Sequence, residues 1–264
     1  MRRNIIPAVL ILAAVVQSCI LEDRSGCPSY LTLDFSETPD SVSHIHLIIK
    51  QVNGRLLSDT LYRRDFDSVY EIPVMRGRTE IAAFGNIKSM QYDGGYRTTT
   101  GNAADNLYTC FFPAVYESDL SSDTVTLHKS CIGLYIKVIG DIVERTYTVI
   151  ESSSVGYSLS GGILEGQFRH IPEPEPSQAN QDRPAREYRS RVTRQKNPDL
   201  TLAVHADNGK CIKRLNLSAI LDENGIYMCD PELEDLYISV DIDRALLTIS
   251  PEDWTDTGLI EITI

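Results

Sequence analysis

The chain has 264 residues, a hydrophobic content of 42% and a formal net charge of −12 at pH 7. This length allows one large domain or two medium domains, each with its own hydrophobic core. Because an acidic surface repels nucleic acid and anionic lipid head groups, the charge argues against nucleic-acid binding as the function.

The first eighteen residues have the pattern of a secretory signal peptide, with a basic start, an apolar stretch at residues 5–16 and Ser18 before the cut. An apolar helix of this length spans roughly 18 Å, which is short of the ~30 Å hydrocarbon core of a membrane. The residue after the cut is Cys19, which predicts a lipoprotein with acyl chains such as palmitate on that thiol. The alternative is an ordinary signal peptide that happens to contain a cysteine.

Alternating apolar and polar residues predict strands in the first half of the mature chain. Residues 19–29 lack periodicity and are predicted to form a tether. Asn53-Gly54 is typical of a hairpin turn between two strands, and residues 103–108 are compatible with a short helical turn. The predicted strands are residues 30–35, 43–52, 55–62, 69–74, 79–84 and 123–128.

The second half shows the same strand pattern around a more polar segment. Residues 171–199 contain five prolines and predict a long surface loop, with one added strand at 187–193. One helical turn is expected at residues 217–221. The other predicted strands are residues 131–139, 146–150, 200–206, 211–217, 236–242, 246–249 and 259–264.

No long amphipathic helix interrupts these strands, which predicts an all-β protein. A break near residue 129 divides the mature chain into two segments, residues 30–129 and 130–264. Each segment is about the length of one seven-stranded sandwich. The sequence therefore predicts two β-sandwich domains in tandem.

Residues that could carry chemistry are few. His44 and His46 share one face of a predicted strand but lack a third ligand nearby in sequence, so no metal site and no cofactor are predicted. Asp241 and Asp243 could act as an acid–base pair, but such pairs are common on exposed sheet faces. Trp254 could stack on a sugar or pack in the core. No catalytic residue is predicted, and the chain is not expected to be an enzyme.

If Cys19 is acylated, five cysteines remain, so at least one has no partner within the chain. We expect mostly buried free thiols. Two disulfides stay open as alternatives, Cys110–Cys131 and Cys211–Cys229.

The start of the mature chain reads Cys-Ile-Leu-Glu-Asp-Arg-Ser-Gly-Cys-Pro over residues 19–28. This segment resembles the mature start of the FimB/Mfa2-type fimbrial anchor lipoproteins of Bacteroidales, which have the pattern C-x-x-E-D-x-S-x-C-P. Residues 72–86 resemble a strand that ends in Trp-Gly-Asn in that family, and here Phe84 stands in place of the tryptophan.

The resemblance implies two transthyretin-like β-sandwich domains and a lipoprotein of the cell outer membrane. It implies that the protein anchors a fimbria to the cell surface and contacts the first stalk subunit, a fimbrillin, beside other minor fimbrial proteins. Glu22 and Asp23 resemble the acidic signal that sends lipoproteins of this phylum to the cell surface.

Fimbrial contacts of this kind are expected to form by β-strand addition, in which an extended segment completes a neighbour's sheet. The C-terminal strand is a candidate donor or edge strand, and pairing within its own domain is the alternative. Its apolar residues are Leu259, Ile260, Ile262 and Ile264.

Two other functions remain open at this point: another minor fimbrial subunit, or a surface lipoprotein that binds glycans. Glycan binding would need exposed aromatic side chains gathered on one face. The candidates are Tyr92, Tyr96, Tyr108 and Tyr116.

Overall fold

The computed structural model describes residues 27–66, 69–176, 183–230, 235–250 and 260–264. Cys19, Glu22, Asp23, Trp254 and Leu259 lie outside these ranges. Across the described ranges, no helix is long and apolar enough to cross a membrane.

Ten strands lie among the described residues up to residue 129. The hairpin predicted at Asn53-Gly54 is confirmed, since Gly54 has a φ of 79° and donates its N–H to the carbonyl of Gln51 at 2.8 Å. The strands are β1 (Pro28–Asp34), β2 (His44–Lys50), β3 (Leu56–Tyr62), β4 (Tyr70–Met75), β5 (Gly77–Gly85), β6 (Gln91–Tyr92), β7 (Gly95–Arg97), β8 (Tyr108–Tyr116), β9 (Leu120–Thr124) and β10 (His128–Lys129).

Nine strands and one short α-helix follow among the described residues from 131 onward. The strand predicted inside the polar segment is confirmed as β14, and the helical turn predicted at 217–221 is confirmed as α1. The elements are β11 (Cys131–Ile139), β12 (Thr146–Ser158), β13 (Ile163–His170), β14 (Ala185–Thr193), β15 (Thr201–Ala206), β16 (Cys211–Asn216), α1 (Leu217–Glu223), β17 (Leu236–Asp241), β18 (Leu246–Ser250) and β19 (Ile260–Thr263).

The first two sheets form what we call the N-terminal sandwich. One sheet has the strand order β4-β1-β9 and the other has the order β10-β8-β5-β2-β3. Their inner faces share one core, to which β1 contributes Leu31 and Leu33 and β2 contributes Ile45, Leu47 and Ile49. The residues that alternate as apolar in the sequence are therefore those whose side chains face the core.

Two further sheets form the C-terminal sandwich. Their orders are β14-β11-β17-β18-β19 and β16-β15-β12-β7-β6, with β13 also pairing with β12. Ile132 and Leu134 of β11 pack in one core with Ile238 of β17 and Leu202 of β15. The predicted all-β fold of two sandwiches is confirmed.

A hairpin from the first part of the chain joins the C-terminal sandwich. β6 and β7 pair with each other, and β7 pairs with the end of β12, where Tyr96 lies opposite Tyr157. Phe84 on the outer face of β5 packs edge-to-face on Tyr96, with ring centroids 4.7 Å apart. A third apolar cluster at this junction covers the outer face of the β2–β5 region.

The predicted helical turn at residues 103–108 is wrong. This stretch is irregular and leads into β8, because the buried Asp105 carboxylate accepts hydrogen bonds from the backbone of residues 88–90. β6, β7, β8 and β13 were not predicted, since their residues do not alternate cleanly. The strand predicted at 123–128 is only partly formed, because β9 ends at Thr124 and β10 begins at His128.

Candidate functional site

The outer edge of β8 is one of the unfinished edges of the N-terminal sandwich, beside the outer edges of β4 and β9. β8 pairs with β5 along its whole length, but on its other side β10 reaches only Tyr108 and Thr109. No described strand pairs with residues 110–116 on that side. Pro113 lies within this stretch, and proline is tolerated in a strand where its missing N–H would face an open edge.

The direction of the free backbone groups follows from the pairing. Ser130 donates its N–H to the carbonyl of Leu107 at 2.8 Å on the β10 side. Because neighbouring residues of an antiparallel strand direct their backbone groups to opposite edges, Phe111 and Val115 direct theirs to the open side. The edge therefore offers hydrogen-bonding groups at two positions that flank Pro113.

The inner face of β8 is incompletely covered. Cys110, Phe112 and Ala114 pack against the core of the N-terminal sandwich, yet each remains partly exposed. Burial is the largest influence on the pKa of the Cys110 thiol, and it raises that pKa. A partner segment laid along this edge would cover these side chains.

A cleft of about 520 Å³ runs beside this edge. Its floor includes Phe112 and Thr126, and Tyr157 and Arg194 line it from the C-terminal sandwich. The buried Arg194 donates through its Nη2 to the carbonyl of Lys129 at 2.7 Å, and it also donates to the carbonyl of Asp230. These bonds hold the wall of the cleft in place.

Two other edge strands have some of their outer backbone groups satisfied. On β3, the N–H of Thr60 donates to the Asp59 carboxylate at 2.7 Å, and the N–H of Tyr62 donates to Asp65 at 3.0 Å. On β14, the carbonyl of Glu187 accepts from the N–H of Glu175 at 2.8 Å. Edges protected in this way resist strand addition.

The C-terminal strand β19 is an edge strand in the structure. It pairs antiparallel with β18, and Ile260, Ile262 and Ile264 pack partly buried on the core of the C-terminal sandwich. Ile264 also donates its N–H to the carbonyl of Ala245 at 2.7 Å. The opposite side of β19 has no described strand beside it.

The histidine pair is engaged in hydrogen bonds. His44 Nε2 lies 2.8 Å from the carbonyl oxygen of Ile87, and His46 Nδ1 bonds to the Tyr96 hydroxyl. Burial lowers the pKa of His46. In the part of the chain that the structure describes, no group of three or more His, Cys, Asp or Glu residues could hold a metal ion.

The carboxylate pair is engaged as well. Arg183 bonds both oxygens of Asp241 and donates to Asp243 at 2.9 Å. Burial raises the pKa of Asp241, but the hydrogen bonds and charges of Arg183 and Arg244 outweigh it and leave the pKa lowered. The two carboxylates therefore form ion pairs with Arg183, and these pairs link the end of β17 to the residues just before β14.

The expectation of mostly buried thiols is wrong, and neither alternative disulfide forms. Only one of the five described cysteines, Cys131, is buried; Cys110 is half-buried and the others are exposed. The four candidate tyrosines do not gather either. Tyr116 is buried with its hydroxyl on Asp123, whereas Tyr92 and Tyr96 alone form a pair, with centroids 5.5 Å apart.

No family model matches the sequence, and no curated protein matches it. Solved structures do match. The fimbrial anchor protein Mfa2 from Porphyromonas gingivalis aligns with a TM-score of 0.66 at 14% identity, covering 85% of this chain and 98% of that chain. The chain shares the fold of a fimbrial anchor protein.

Two Bacteroides thetaiotaomicron proteins also share this fold. A candidate polysaccharide-binding protein aligns with a TM-score of 0.68 at 11% identity, covering 89% of this chain and 98% of that chain. A candidate adhesin aligns with a TM-score of 0.62 at 15% identity, covering 85% and 97%. The resemblance seen in the sequence is thus confirmed at the level of the fold.

Proposed function

We propose that this protein is a fimbria-associated surface lipoprotein that binds a fimbrial subunit by β-strand addition at the open edge of β8. The observation that carries the proposal is the combination at that edge of unpaired backbone groups with half-covered core side chains. The role is structural and not catalytic, in keeping with the fimbrial and adhesin proteins that share the fold.

The chemistry of the edge suits an added strand. Main-chain hydrogen bonds supply affinity in such complexes, and pockets for alternate side chains supply specificity. Here a partner strand would bond to Phe111 and Val115, and its inward side chains would reach Phe112 and Ala114. Pro113 lacks an N–H, so at that position only its carbonyl could bond to the partner strand.

The proposal includes the anchor. Acyl chains on Cys19 would hold the protein in the outer membrane, and Glu22 with Asp23 would direct it to the cell surface. We also propose that residues 30–129 and 130–264 form the two domains, with the β6–β7 hairpin reaching across. β19 remains in its own sheet in this proposal and serves as an edge strand instead of a donor.

The substitution Val115→Pro tests whether the open edge of β8 is the contact with the fimbrial subunit. Val115 is 63% exposed and its N–H is not used within its own sheet, so Val115→Pro should leave folding nearly unchanged. It removes one ladder bond worth about 0.5–1.5 kcal/mol and obstructs the added strand, so binding should weaken by roughly tenfold or more. Cells whose own gene is deleted and replaced by this variant should shed fimbriae into the medium.

The matched control is Thr60→Pro on β3, the opposite edge of the same sheet, where the outer N–H already bonds to Asp59. Both variants should reach the surface in equal amounts on immunoblots of whole cells, and the control should keep its fimbriae. Retention of fimbriae by Val115→Pro, or equal shedding by both variants, would show that the β8 edge is not the contact.

Glycan binding is the second candidate, favoured by a polar cleft of about 590 Å³ on the C-terminal sandwich. Glu151, Gln167 and Arg214 line it beside Phe168. Loss of polysaccharide uptake with intact fimbriae, after deletion of the gene, would favour this function.

A further inference from the structure

The outer face of the β4-β1-β9 sheet has an exposed apolar patch at one end. In the pairing of these strands, Tyr30 lies opposite Pro73 on β4 and opposite Leu120 on β9, and Pro28 lies opposite Met75. Tyr30 is 51% exposed, Met75 42% and Leu120 75%. We call these five residues the terminal patch.

Most of the remainder of that face is polar, although the exposed Val69 directly precedes β4 at the other end. The next row across the sheet consists of Glu71, Thr32 and Ser122, and the row beyond it of Asp34 and Thr124. The exposed apolar side chains of β1, β4 and β9 on this face are therefore gathered at the end at which β1 begins. Contiguous apolar surface of this kind marks a site of contact with another surface.

A second element extends the patch at the same end. The exposed Val52 lies against Gly77, where a Cβ would come within 3.6 Å of the valine Cβ. The side chain of Gln51 accepts the N–H of Met75 at 3.3 Å, which ties the β2–β3 turn to β4.

The start of the described chain is fastened beside this patch. Arg76 donates through Nε to the carbonyl of Cys27 at 3.2 Å, and also to the carbonyl of Glu117 and the carboxylate of Asp119. The ion pair with Asp119 compensates the guanidinium charge. The point where the tether leaves the sandwich is therefore fixed at the apolar end.

We propose that the terminal patch rests on the lipid surface and orients the protein on its anchor. This inference depends on the lipid anchor at Cys19 in the proposed function. Cys27 follows Cys19 by eight positions, so the chain between them reaches at most roughly 28 Å when fully extended.

A tether this short makes weak apolar contact sufficient. A tethered surface meets its partner at an effective concentration in the millimolar range, so a patch too small to bind membranes from solution binds once anchored. Because the chain is acidic, attraction to anionic head groups cannot supply this contact, and the apolar side chains with the aromatic ring of Tyr30 supply it.

Quenching by brominated lipid tests the contact independently of natural acylation. The mature chain from residue 20 carries a hexahistidine tag in place of Cys19 and is held on phosphatidylcholine vesicles that contain a nickel-chelating lipid. The single tryptophan is replaced by Trp254→Phe, and Leu120→Trp places the probe on the patch. Since interfacial side chains insert roughly 5–10 Å, bromines on the upper acyl carbons should quench about half of its emission.

The matched control places the probe at Tyr227→Trp, a position of similar exposure at 54% on the C-terminal sandwich. Its emission should not change, and a second patch probe, Tyr30→Trp, should respond like the first. Quenching at neither patch position, or equal quenching at position 227, would overturn the proposal. A change in patch emission that depends on protein concentration without vesicles would assign the patch to a second copy and also overturn it.

Failure of the anchor itself has a separate readout. If the native lipoprotein does not float with vesicles in a density gradient, the Cys19 anchor is wrong, and the proposal that the terminal patch rests on the lipid surface is wrong as well. If the native protein floats but the tryptophan on the terminal patch of the tagged chain is not quenched, the lipid anchor is supported and only the contact between the patch and the lipid is overturned.

Discussion

Substitution of Asp105 should expose how the two sandwiches are held together. The carboxylate is buried and accepts the backbone N–H groups of Lys88 at 2.7 Å, Ser89 at 2.9 Å and Met90 at 3.1 Å, and the Ser89 hydroxyl at 2.8 Å. These bonds fix the turn that carries β5 into the β6–β7 hairpin. Asp105→Asn keeps the size of the side chain but removes the charge and half of the acceptor capacity.

The magnitude follows from the number of bonds. Hydrogen bonds to a charged group contribute about 1.5–3 kcal/mol each, and they are not additive. An asparagine oxygen can still accept about two of the four, so the free energy of unfolding should fall by about 3 kcal/mol at pH 7. The exposed Asp93 on the same hairpin provides the control, because Asp93→Asn should change stability by less than about 0.5 kcal/mol.

The pKa of Asp105 determines how the stability difference between wild type and Asp105→Asn changes with pH. Burial raises the pKa of Asp105, but the hydrogen bonds from residues 88–90 outweigh it and hold the pKa below its usual value. A carboxyl whose pKa is lowered in the folded state stabilises the protein fully at pH values above its pKa in the unfolded chain, which is about 4. This stabilisation is lost as the pH falls through the pKa of the folded state. The difference between wild type and Asp105→Asn should therefore be constant from pH 7 to about pH 5 and shrink below about pH 4.

Urea denaturation at pH 7, 5 and 3 measures this difference, and hydrogen exchange locates it. Amides of β7 should exchange faster in Asp105→Asn than in Asp93→Asn, because β7 joins the C-terminal sandwich only through β12 and β6. A penalty below about 0.5 kcal/mol at pH 7, or one that is unchanged at pH 3, would refute the reasoning.

Two further predictions concern the anchor and the junction. Cys19→Ser should leave the protein unprocessed or release it from membranes into the soluble fraction, and retention of a processed variant after high-salt washing would contradict acylation. Gly156→Ala should destabilise the protein by about 1–3 kcal/mol, since a Cβ there would lie 1.8 Å from the carbonyl oxygen of Tyr96. Thermal unfolding should show no comparable loss for Gly162→Ala, where only the side chain of Ser158 comes within 4 Å.

Most strands could be predicted because a half-buried strand repeats every two residues. Leu31 and Leu33 alternate with more exposed neighbours, and they are the fully buried apolar side chains of β1. β8 escaped prediction because Phe111 and Phe112 are adjacent apolar residues, of which one faces the junction and the other the core. Local periodicity cannot separate two apolar faces.

The sequence by itself determined most of the strands and the Asn53-Gly54 turn, because these features depend on neighbouring residues, and it predicts the signal peptide and the acylated Cys19 in the same way. Only the tertiary structure decided that the β6–β7 hairpin joins β12, that β8 keeps an open edge and that Tyr30, Met75 and Leu120 meet on one face. Those features depend on which distant segments pair, and pairing is set by the burial and hydrogen bonding of the whole sheet. No window of consecutive residues contains that information.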